Sequence, residues 1–144
     1  MSNTDFLRRS EAALLPPEFV QGKIFNFKIG DYDGLAEVDG WHDALKEAIE
    51  ICQSETRNQV PKPGQKRKMA SDVLKLVFLK DEGLIKSSRV YVTSPEMYTW
   101  LHRSGSWLSA ACRHFGIKVE LKQLDKKQMR KKARNVMARA RKER

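Results

Sequence analysis

Cysteine is scarce in this chain: 144 residues carry two, Cys52 and Cys112. That is too few for a disulfide framework and points to reduced thiols in a cytoplasmic setting. No apolar run approaches the length of a membrane span, so no membrane partner is expected. The opening residues MSNTDFLRRS lack the apolar stretch of a secretory signal. The three histidines are scattered, and Cys112-x-His114 has neither the spacing nor the second pair that a zinc site needs. There is no G-x-S-x-G and no ordered Ser-His-Asp set, and Ser104-Gly105-Ser106 reads as a helix junction. The glycines form neither a phosphate loop nor a dinucleotide fingerprint. Carboxylates and basic residues are what remain to carry chemistry, on a chain long enough for one core.

The basic residues are unevenly placed. Of the formal net charge of +10, residues 125–144 contribute ten Lys/Arg against two acids. Such a block suits phosphates, because each one neutralised releases condensed counterions. A solvated charged face is the plainer reading of any such run. The expected organisation is one α/β domain over residues 1–124, followed by a basic helix or tail over 125–144.

Thr4 to Leu15 reads as a short helix stopped by Pro16-Pro17. Lys23–Ile29 alternates as a half-buried strand, with Phe25 and Phe27 on one face. Gly30 to Gly34 supplies hairpin chemistry, Asp33-Gly34 especially, and Leu35–Trp41 is the antiparallel partner. Thr56–Lys68 is a polar loop with five basic residues, and Lys66, Arg67 and Lys68 would sit just before a helix start, a place for phosphate. Ser71 is the expected cap of a largely buried helix over Asp72–Lys80. Arg89–Thr93 is a strand, and Ser94-Pro95 opens a helix. Ser106 caps another, with Trp107, Leu108, Ala111, Cys112 and Phe115 as its core stripe and Gly116 as its stop. Lys118–Leu124 is the last strand.

The stretch LAEVDGWHDALKEAIEICQ, Leu35 to Gln53, is the ambiguous one. Ala44, Leu45, Ala48, Ile49 and Cys52 make a good helical stripe that would leave Glu47 and Glu50 in solvent. As a strand, Ala48–Cys52 sets Glu50 and Cys52 on one face and buries Ile49 and Ile51 on the other. Asp39 would then stand at the end of the neighbouring strand, and two converging carboxylates suit a hard divalent cation. Periodicity leaves both readings open.

With Ala48–Cys52 as a strand, the order of elements and the segment EVDGWHDALKEAIEICQSETRN, with the later SDVLKL, resemble the PD-(D/E)XK, or restriction-endonuclease-like, nucleases. The resemblance spans roughly Leu35 to Leu124. It implies an α/β fold with a mixed β-sheet flanked by helices, Asp39 and Glu50 as ligands of Mg2+ or Mn2+, and hydrolysis of DNA phosphodiesters. The third-strand lysine of that family falls on Cys52 here; Gln53, or a lysine from the following helix (Lys75 or Lys68), would replace it. A literal Glu-x-Lys at Glu120-Leu121-Lys122 comes on the last strand and reads as its outward face.

Function follows as two expectations. One is a metal-dependent DNA endonuclease. Asp39, Glu50, Gln53 and Lys75 would be catalytic, and Lys66, Arg67, Lys68, Lys126, Lys127, Arg130, Lys131, Lys132 and Arg134 would grip the nucleic acid, DNA before RNA. A homodimer suits that class, as does nucleoid association for a bacterial or phage chain. The other is a non-catalytic nucleic-acid-binding or complex-assembly module on the same scaffold. Its tail could also meet an acidic protein.

Overall fold

The computed structural model of the chain describes residues 10–53, 61–103 and 105–123. Five strands form one mixed sheet in sequence order: β1 (Val20–Ile29), β2 (Tyr32–His42), β3 (Glu47–Cys52), β4 (Ser87–Val92) and β5 (Lys118–Leu121). The first three are an antiparallel meander, and β4 and β5 then add in parallel. Parallel neighbours need crossovers. A helical stretch, α1, occupies residues 10–14 ahead of β1. Helix α2 (Pro63–Asp81) supplies the first crossover, and α3 (Pro95–His102) with α4 (Trp107–His114) the second. The chain is thus α/β with a mixed sheet flanked by helices, as the sequence led one to expect. The basic helix expected at 125–144, with Lys126, Lys127, Arg130, Lys131, Lys132 and Arg134, lies outside the described residues. No helix among those described is long and apolar enough to cross a membrane.

The β1–β2 hairpin closes at Ile29↔Tyr32, so its turn is Gly30-Asp31, with Gly30 at φ 58°. A two-residue hairpin loop asks for positive φ at its first central residue, and glycine provides it without strain. Asp33-Gly34, the expected turn, lies inside β2. Gly34 is needed there for another reason: a Cβ would sit 2.3 Å from Cζ of Phe27, whose ring packs edge-on against Phe78 of α2.

The ambiguous stretch is a strand. Ala48 and Cys52 enter the main core with Met69, Leu76 and Val90, while Ile49, Ile51 and Tyr91 pack against Leu14, Leu15 and Phe19. A central strand buried on both faces carries apolar residues on both, which is why alternation failed to mark it.

Helix α2 begins at Pro63, well before the expected start at Ser71, with the Gln65 side chain accepting from the Lys62 amide at 2.9 Å. Lys66, Arg67 and Lys68 are therefore helical and not loop residues. Proline at the first helical position costs no hydrogen bond. Met69, Val73, Leu76 and Leu79 form its buried stripe, whereas Leu74 faces solvent. The caps at Ser94 and Ser106 are as expected: each hydroxyl accepts the amide three residues on, at 3.2 and 3.4 Å. Trp107 and Phe115, however, are exposed, and the α4 core stripe is Leu108 and Cys112.

Leu76→Ala should lower stability in chemical denaturation by about 3 kcal/mol, and Leu74→Ala by under about 0.5 kcal/mol. Equal losses would mean that α2 is rotated on the sheet.

Candidate active site

Both strand ladders around Asp39 are interrupted. Pairing of β1 with β2 runs through Gln21↔Gly40 and resumes at Lys23↔Val38, leaving Gly22, at φ 74°, and Asp39 at the gap. The β2–β3 ladder ends at Gly40↔Ile49; one further step would set Asp39 against Glu50. Instead the Ile51 amide donates to Asp39 Oδ2 at 2.7 Å. A side chain has taken over a ladder bond where the strands part, and such irregularities re-aim side chains beside functional sites.

Helix α2 brings the other members. Lys68, Asp72 and Lys75 recur at i, i+4 and i+7, which puts them on one helical face. Lys75 Nζ donates to Glu50 Oε1 at 3.2 Å and to the Glu37 carbonyl at 2.9 Å. Asp72 Oδ2 accepts from Lys68 Nζ at 3.0 Å and from Cys52 Sγ at 3.2 Å. Lys68 Nζ also lies 3.4 Å from the Ile51 carbonyl oxygen.

Three carboxyl groups and two ammonium groups are thus gathered, and with all ionised they carry a net negative charge. Glu50, only 2 % exposed, bears the consequence. Burial first, then Asp39 and Asp72, push its carboxyl up to about 9, against the opposing pull of Lys75. Burial also raises Asp39, outweighing the Ile51 amide and the two lysines. The Cys52 thiol is driven well above its ordinary range by burial and by Asp72. Burial works against the Lys68 charge, yet the Asp72 and Asp39 carboxyl groups hold it protonated beyond the usual lysine range.

Of the residues expected to act, Asp39, Glu50 and Lys75 come together, and Lys68 joins them. Gln53 lies one residue past β3, half-buried. Lys66 turns to the Trp100 ring, 5.2 Å from its centroid, and Arg67 Nε to the Pro63 carbonyl at 3.4 Å. Asp72 was missed as a member, although the Lys68–Asp72–Lys75 spacing could have disclosed it. Glu120 of the literal Glu-x-Lys stands 3.6 Å from the Arg89 guanidinium, which also binds Glu47. That is an ion-pair network and not a second centre.

Among the described residues, no group of three or more His, Cys, Asp or Glu side chains is disposed to hold a metal ion. Magnesium, however, usually takes only one or two protein carboxylates, completing its shell with water and phosphate oxygen. Asp39 and Glu50 offer that hard-oxygen pair in a cluster short of positive charge, so the donor set fits. An open hollow of about 360 Å³ on the hairpin, lined by Phe27, Lys28, Asp33 and Leu35, contains none of these groups.

Glu50 keeps its proton in the folded chain until about pH 9 but loses it near 4.5 once unfolded. The stability this confers is complete below the lower value and drains away as pH rises to the higher one. Glu50→Gln should therefore raise Tm by about 5 °C or more near pH 8, and by little at acid pH. Calorimetry in chelator checks this; a variant running parallel to the parent across that range would show that Glu50 ionises normally.

No family model matches the chain, and comparison with curated proteins and with solved structures gives no match either.

Proposed function

We propose that the chain is a divalent-metal-dependent endonuclease that hydrolyses DNA phosphodiester bonds on a restriction-endonuclease-like core. The observation that carries this is the meeting of Asp39 and Glu50 where β2 and β3 part, under lysines of α2. The element order supports it too, since a helix, a meander, a helix and further strands is the arrangement that the resemblance implies.

Asp39 and Glu50 would hold Mg2+ or Mn2+, which when bound stabilises charge on phosphate oxygens and lowers the pKa of its water. The chain's own groups do the rest. The Ile51 amide fixes the orientation of the Asp39 carboxyl. Lys75 takes the part of the motif lysine whose position Cys52 occupies: its ammonium steadies an ionised Glu50 and can hold a water or a phosphate oxygen. Lys68, with its side chain 55 % exposed, offers phosphate a cation from the solvent side. Cys52 remains a thiol donating to Asp72 and takes no proton from water. A divalent ion also reverses the sign of the cluster, from a net negative charge to a net positive one, which suits a phosphodiester anion.

The replacement of the motif lysine by Cys52 favours a second reading, a nucleic-acid binder without catalysis. Nicking of supercoiled DNA separates the two. Asp39→Ala should lower magnesium-dependent nicking by more than about a hundredfold, beyond what is typical of residues that only support a ligand, with DNA binding nearly intact. Lys75→Met should cost about tenfold or more, with partial recovery in Lys75→Arg. A parent chain that binds DNA but shows neither nicking nor carboxylate-dependent metal affinity is the binder.

A further inference from the structure

Trp107 is 74 % exposed, the most accessible large apolar side chain among the described residues. It stands at the first position of α4, just after the Gly105-Ser106 turn, where the Ser106 amide reaches back to the Arg103 carbonyl at 3.5 Å. Tryptophan is on average a highly buried residue, so one standing this far in water is unusual.

The helices on this side of the sheet carry more cations than acids. Residues 95–118 contain a single acid, Glu96, and residues 61–80 a single acid, Asp72, which is buried. Cations, by contrast, run across the surface from helix to helix. Lys66 lies over the Trp100 ring, linking the start of α2 to α3. Arg67 is exposed beside it. Arg103 ends α3 in solvent, and Arg113 Nη2 donates to the His102 carbonyl at 2.7 Å, tying α4 to the same end.

An exposed aromatic face, on helices whose exposed acid, Asp81, stands at the C-terminal end of α2, fits a ligand that offers phosphates and a free π-face together. Duplex DNA hides its base faces in the stack, so only an unpaired base can lie on Trp107. From this we infer that the α2–α3–α4 surface binds a single-stranded or unpaired stretch of nucleic acid. Trp107 stacks on a base, and Lys66, Arg67, Arg103 and Arg113 hold the flanking phosphates. The inference rests on the nucleic-acid half of the function proposed above and names the kind of strand; it needs none of the carboxylate chemistry.

The test titrates the full chain with oligo(dT) and with a blunt duplex in chelator, read by intrinsic fluorescence and by anisotropy of labelled DNA. Trp107→Ala should weaken oligo(dT) binding about tenfold and remove most of the fluorescence quenching, while duplex affinity stays within about twofold. Trp107→Phe should restore most of the loss. Because tryptophan carries no charge, the salt dependence should not change in Trp107→Ala, but should fall by about one phosphate in Arg103→Ala. Unchanged oligo(dT) affinity in Trp107→Ala, or equal weakening on both DNAs, overturns the inference. Trp107 is exposed, so an unaltered Tm is expected and checks that the variant is folded. Magnesium-dependent nicking by Asp39→Ala is read separately, so the nuclease reading and this one fail independently.

Discussion

A carboxyl group in a place from which water is excluded is the constraint around which this structure is built. Glu50 sits at the centre of a strand covered on both faces, beneath a helix. An ionised carboxylate there, with Asp39 and Asp72 close by, is tolerable only with compensation. The chain offers it from α2, through Lys68 and Lys75, and the compensation is incomplete. The negative excess is therefore relieved only by a proton on Glu50 or by a cation from outside. The same incompleteness that lowers stability at neutral and alkaline pH is what makes the cluster receptive to a divalent ion.

The local fold serves that arrangement. The β1–β2 and β2–β3 ladders are both interrupted at Asp39, and the Ile51 amide that would otherwise lack a partner there is held by the Asp39 carboxyl. The hairpin is braced against α2 by Phe27 and Phe78, and Lys75 reaches across to the Glu37 carbonyl. The helix that carries the lysines is thus tied to the strand that carries Asp39. Packing and electrostatics point to the same rotation of α2 on the sheet. The turn that buries Leu76 in the core also lets the adjacent Lys75 meet Glu50.

Much of this was legible in the residues. The serines that open α3 and α4 and the alternation of β1 follow from local chemistry, and the partition of Glu50 and Cys52 from Ile49 and Ile51 follows once β3 is taken as a strand. Other features were hidden for identifiable reasons. Burial of β3 on both faces erased its alternation. The polar, Pro- and Gly-containing run before Met69 looks like a loop, although Pro63 suits a first helical turn and Gln65 completes its cap. Trp107 shares an apolar row of α4 with Ala111 and Phe115, but the row that meets the core is the adjacent one, Leu108 and Cys112. Asp72 lies among apolar neighbours, and in the sequence only its helical spacing with Lys68 and Lys75 marks it; its contact with Cys52 shows only in space.

The most direct measurement is a carboxyl-carbon NMR titration of Glu50, with and without magnesium. A midpoint near 9 is expected in chelator, with a fall of several units when magnesium is present, because the ion competes with the proton for the same buried oxygen. An ordinary carboxyl midpoint that magnesium leaves unmoved would contradict this expectation.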